Sequence, residues 1–128
     1  MNKIIAKPLV EVGGVKFGMK RSEVRKIFGE ATEFKKSKFS KNTTDDFGFC
    51  HVYYNQYNEC EAIEIFDNIE VEVDNKIIFP TSLDNAKKVL VNLIKDEECY
   101  IDKKNSVCIY IPYDKMESIL FGKVCYYN

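Results

Sequence analysis

Gly18-Met-Lys-Arg-Ser-Glu-Val-Arg-Lys-Ile-Phe-Gly29 reads as one short helix with glycine at both ends. Val24, Ile27 and Phe28 recur at helical spacing and make one side apolar, while Arg21, Glu23, Arg25 and Lys26 cover much of the rest. Gly29 supplies the left-handed residue that ends a helix at little cost. None of these side chains has an evident chemical task, so the stretch speaks for shape before action.

Downstream of this helix the chain turns to β-preferring residues. Glu33 to Lys41 fits a strand or a loop, and Lys41-Asn-Thr-Thr-Asp-Asp46 reads as a loop. Phe47 to Tyr54 and Cys60 to Phe66 read as strands joined by Asn55-Gln-Tyr-Asn58. Asp67-Asn68 breaks the second of these, and Ile69-Glu-Val-Glu-Val73 alternates as a half-buried strand does. Asp74-Asn75 suits a tight hairpin into Lys76 to Phe79, because both residue types tolerate positive φ.

A second helix opens after Pro80, with Thr81, Ser82 and Asp84 all suited to cap it. Leu83, Ala86, Leu90, Leu93 and Ile94 form its apolar side. Cys99 to Ile101, Val107 to Ile111 and Met116 to Phe121 follow as strands, and Val124 to Tyr127 is one more strand or an ordered tail. Tyr57-Asn-Glu-Cys-Glu-Ala-Ile63 matches Tyr113-Asp-Lys-Met-Glu-Ser-Ile119 in its Tyr, Glu and Ile. Chance and an internal repeat both explain so short a match.

These elements predict an α+β fold. Two helices pack on one face of a curved antiparallel sheet in a single domain, 1–128. Two fused helix-plus-strands halves, 12–79 and 80–128, are the alternative organisation. Apolar residues at 45% and charged residues at 30% are the balance of an ordinary soluble globular protein. A net charge of −1 argues against general binding to nucleic acid or anionic membranes, which needs a basic excess. The apolar run Ile4-Ile5-Ala6 is too short for a signal peptide, and no run approaches a membrane span. A cytoplasmic protein is expected.

Candidate chemistry is sparse. Cys50, Cys60, Cys99, Cys108 and Cys125 are odd in number and include no C-x-x-C pair, so free thiols packed as small hydrophobes are expected and no metal site. Cys50-His51 is the obvious catalytic pair, with Cys60, Asp45 or Asp46 as helpers. Neighbours on a strand point to opposite faces, however, which separates imidazole from thiol. Gly13-Gly14 lacks the Lys-Ser/Thr of a phosphate loop and shapes a turn into the helix. Lys35, Lys36, Lys38 and Lys41 read as a solvated loop or a guarded edge strand. Neither a cofactor nor a catalytic residue is assigned.

The acidic segment is more distinctive. Glu59, Glu61, Glu64, Asp67, Glu70, Glu72 and Asp74 fall together without a Lys or Arg among them. Like charges on a sheet repel, and a cationic partner would relieve that repulsion and be steered toward it. A water-facing strand surface balanced by nearby lysines is the plainer explanation.

Gly18, Met19, Val24, Phe28 and Gly29 match the motif Gly-Met-(Ser/Thr)-x-x-x-Val-x-x-x-(Leu/Phe)-Gly. The stretch with its following hairpins thus resembles the helix-plus-antiparallel-sheet modules of small outer-membrane assembly lipoproteins and β-lactamase inhibitory proteins. Lys20 stands where those have a capping hydroxyl, and the similarity covers half the chain at best. The resemblance implies a non-enzymatic module that binds proteins through its sheet. In general character the chain also resembles bacterial toxin-immunity proteins. The expected function is therefore an immunity-type inhibitor that occludes a protein partner, a basic toxin domain. Glu61, Glu64, Glu70 and Glu72 would steer the partner, and Tyr53, Tyr54, Tyr57 and Tyr110 would anchor it. A small enzyme using Cys50 and His51, or a housekeeping interaction or ligand-binding domain, is the alternative.

Overall fold

The computed structural model describes residues 2–66 and 69–127, so the expected break at Asp67-Asn68 lies outside the described residues. The first elements are β1 (Lys3–Lys7), β2 (Glu11–Val12), β3 (Val15–Lys16), α1 (Arg21–Phe28), β4 (Thr32–Phe34), β5 (Thr44–Asp46), β6 (Cys50–Tyr54) and β7 (Cys60–Phe66). They are followed by β8 (Glu70–Val73), β9 (Lys76–Phe79), α2 (Leu83–Val89), β10 (Ile94–Asp96), β11 (Cys99–Asp102), β12 (Val107–Tyr110) and β13 (Ser118–Gly122).

The expected fold class is wrong. Strands occupy 43% of the described residues and helix 12%, and the strands divide between two sheets. The smaller sheet has the order β3-β2-β1-β8-β9, and the larger has β10-β11-β12-β13-β7-β6-β5-β4. Pairing is antiparallel throughout the larger sheet, whereas β1 and β8 run parallel in the smaller one. The helices are too short to make a layer. Each contributes one fully buried side chain, Val24 from α1 and Ala86 from α2.

Three local misreadings account for the error. Lys3–Lys7 is given no element by the sequence reading, yet Ile4 and Ala6 are buried and β1 lies at the centre of its sheet. Lys41 to Asp46 reads as a polar loop, but its last three residues form β5, with Asp45 wholly buried. The helical spacing after Pro80 continues beyond the helix itself. Leu90 leaves helical geometry at φ −98° and ψ 81°, and Ile94 starts β10 with its side chain exposed. Apolar residues three and four apart also occur where a chain turns from a helix into a strand, and spacing alone cannot separate the cases.

Inward residues of both sheets share one hydrophobic core, including Ile4, Val12, Val71 and Ile78 from the smaller and Val52, Ile63, Ile109 and Phe121 from the larger. Two tight hairpins bound the smaller sheet. Asp74-Asn75 joins β8 to β9 with φ of 52° and 66°, as expected of that pair. Gly13-Gly14 makes the corresponding turn between β2 and β3, with φ of 58° and 89°, and does not lead directly into the helix.

Candidate protein-binding face

Directly paired residues on adjacent strands share a face, so the strand register defines the outer surface of the larger sheet. Val52, Ile63, Ile109, Ile119 and Phe121 point inward. The opposite set runs across the sheet as Asp46, His51, Glu64, Leu120 and Cys108, with Phe66, Ser118 and Tyr110 in one neighbouring row and Tyr53, Ala62 and Gly122 in the other.

This surface is aromatic, and its side chains are held in place. Tyr53 donates its hydroxyl to Glu64 Oε1 at 2.6 Å, and Ser118 donates to Glu64 Oε2 at 2.8 Å. Burial, and then the bond to Glu64, push the Tyr53 hydroxyl well above its ordinary pKa. The His51 ring packs edge-on against Phe66 at 4.6 Å and Phe34 at 4.9 Å. Lys36 Nζ lies 4.8 Å above the Tyr53 ring. Tyr53, Tyr57, Glu61, Lys36 and Tyr126 line a cleft of about 410 Å³ at one end of the face. Glu61 reaches that cleft because it is an extra residue on β7. Tyr53 pairs with Ala62 but Tyr54 with Cys60, which is a β-bulge.

The outer face of the smaller sheet has a different character. Lys3, Lys7, Glu11, Lys16, Glu70 and Glu72 dominate it, with Ile5 and Ile77 among them. Lys3 and Glu72 form an ion pair at 2.6 Å, which raises the pKa of Lys3.

The eight residues expected to meet a partner therefore separate. Tyr53, Glu64 and Tyr110 share the larger sheet's outer face, and Tyr57 and Glu61 border its cleft. Glu70 and Glu72 lie on the other sheet, so the acidic segment is not one patch. Tyr54 is a core residue that also lines this cleft. It is only 6% exposed, its hydroxyl donates to Asp45 Oδ2 at 2.9 Å, and Arg21 stacks over its ring at 4.2 Å. Sequence reading missed Phe34, His51, Phe66 and Tyr126 as members of the face. Period-two alternation carries Phe66 with Glu64, but only the pairing of β7 with β13 and β6 shows which residues surround them.

Cys50 and His51 lie on opposite faces and do not form a nucleophile–base pair. Burial drives the Cys50 thiol far above its ordinary range and the Cys60 thiol up to about 12, so both stay protonated and poorly nucleophilic at neutral pH. Among the described residues no group of three or more His, Cys, Asp or Glu is placed to hold a metal ion, and no helix is long and apolar enough to cross a membrane.

Compared with known proteins, the chain matches no family model, no curated protein and no solved structure.

Proposed function

We propose that this chain is a protein-binding module that docks its partner on the outer face of the larger sheet, and that the module acts as an immunity-type inhibitor occluding a bacterial toxin. The contrast between the two outer faces carries the reading. A sheet surface facing only water is expected to be charged, as the smaller sheet's is around Ile5 and Ile77. The larger sheet instead presents Phe34, His51, Tyr53, Phe66, Leu120 and Tyr110, with Tyr110 37% exposed. Rigid aromatic side chains lose little entropy on binding and bury much area, which suits them as interface anchors. Glu61, beside the cleft, is the carboxylate best placed to meet a basic toxin. Glu70 and Glu72 would act only through the long-range field.

Capture of the partner from a lysate of the source cells by the immobilised chain tests the docking face. Phe66→Lys and Tyr110→Lys should each abolish capture, while Ile5→Lys on the other sheet should leave it intact. Equal capture by all three would overturn the assignment. The captured protein should arrest growth when expressed alone and lose that effect when this chain is co-expressed. An unaltered activity would remove the inhibitor reading and leave docking in place.

A further inference from the structure

The outer face is not empty along its whole length. Ala62 and Gly122 pair directly across β7 and β13, and they are the two smallest residues on the surface. The Tyr126 side chain lies against Gly122. A Cβ built on Gly122 would sit 2.5 Å from both Cβ and Cγ of Tyr126, so the ring rests on bare backbone that any larger residue would fill. The chain reaches this position by turning at Cys125, with φ 65°. Tyr126 and Tyr127 then pack edge-to-face at 5.1 Å, and Tyr127 lies beside the Cys108 thiol.

The backbone hold on this segment is slight. Lys123 N donates to Glu61 O at 2.9 Å. Beyond Lys123, the segment's backbone hydrogen bond among the described residues is the local one from Tyr126 N to Lys123 O. Release of residues 124–127 would break side-chain packing without opening any strand ladder. Val124 and Cys125 are already exposed.

We infer that the slot at Gly122, beside Ala62, is a pocket at one end of the binding face, that it accepts a tyrosine side chain from the partner, and that Tyr126 of the chain itself fills the slot until the partner displaces it. This rests on the docking face proposed above. The present occupant defines the chemistry. The slot takes a flat ring against glycine, and Tyr126 borders the cleft shared by Tyr53 and Glu61, where a polar ring tip can stay solvated. A partner side chain competing with an intramolecular one binds more weakly by the fraction of time the slot stands open.

A fluorescein-labelled peptide of residues 122–127, carrying Cys125→Ser, serves as the probe in an anisotropy titration. Full-length protein with Tyr126→Ala and Tyr127→Ala should bind it about ten-fold or more tightly than wild type. Adding Gly122→Ala to that variant should remove the gain. Circular dichroism and thermal melting confirm that each variant is folded. Equal affinity for wild type and the double variant, or no binding to a folded double variant, would overturn the inference. In the capture experiment, Tyr126→Ala should increase partner retention. Unchanged capture that still depends on Phe66 and Tyr110 would remove the self-occupied slot and leave the docking face standing.

Discussion

Asp45 has no solvent exposure, and four hydrogen bonds converge on its carboxylate. Arg21 Nη1 donates at 3.0 Å, Arg25 Nε at 2.9 Å, Arg25 Nη2 at 2.6 Å and the Tyr54 hydroxyl at 2.9 Å. Arg25 also reaches Glu33, and Arg21 reaches Asn42, Thr43 and Asn58. The arginines that look like a solvated helix face thus fasten α1 to β5 and β6. A buried charge is tolerated only when its partners are complete, and removing one side strands the other. Asp45→Ala should destabilise the fold by about 3–5 kcal/mol in urea denaturation. Glu72→Gln, which breaks a pair whose lysine is half exposed, should cost far less. Similar losses from the two variants would show that the network is not a structural anchor. Asp45 was not legible as a core residue because its burial depends on two arginines from another element.

At the level of elements, the two helices start in different ways. Ser82 caps α2 by accepting from Asn85 N at 3.1 Å, which selects it from the three candidate caps. Lys20 precedes α1 without a side-chain cap. There the start is held from outside, by Arg21 N donating to Asn58 O, Cys60 N to Met19 O and Gly18 N to Cys60 O. Docking onto the β6–β7 turn thereby serves in place of a side-chain cap. Ser82→Ala should lower stability by about 1 kcal/mol and Lys20→Ala by roughly half that or less, as measured by thermal melting. A larger loss at Lys20 would refute this account. The strand order also has a regularity. A hairpin, a helix and four antiparallel strands occur twice in succession, and the two four-stranded sets meet at β7 and β13. The left-handed residues Asn58 and Asp114, with φ of 60° and 63°, fall at matching places in the two similar sequence segments.

For the whole molecule, buried thiols together with paired surface charges set the pH range of stability. Burial raises the Cys50 thiol from its ordinary 9.0, and raises Cys60 and Cys108 to about 12. The folded chain keeps these protons after the unfolded chain has lost them, so stability falls as pH rises above 9 toward 12. Lys3, raised by Glu72 from its ordinary 10.5, acts in the same direction. On the acid side, Glu33 is depressed by the Thr43 hydroxyl and Arg25, and Glu59 by the Asn55 amide and Lys20. Their contribution is complete above the ordinary carboxylate value and is lost as pH falls through the lowered one. The melting temperature should therefore peak between these limits and decline on both sides. Cys50→Ala should flatten the alkaline limb, although the cavity lowers the whole curve. An alkaline limb of unchanged slope would exclude the thiol contribution.

The sequence by itself determined the short-range features: the first helix and its terminal glycine, the Asp74-Asn75 hairpin, and alternation in most of the strands. Those depend on backbone preference and side-chain periodicity, which act over a few residues. Tertiary structure decided that Ile4 and Ala6 belong to a central strand, that Tyr54 and Asp45 are interior, and that Glu64 and Glu72 lie on different sheets. It also placed Tyr126 on Gly122 and gathered Phe34, His51 and Phe66 into one surface. Apart from the local Tyr126–Gly122 contact and the arginines that bury Asp45, these depend on strand pairing, and a shift of one residue in that pairing exchanges the buried and exposed faces.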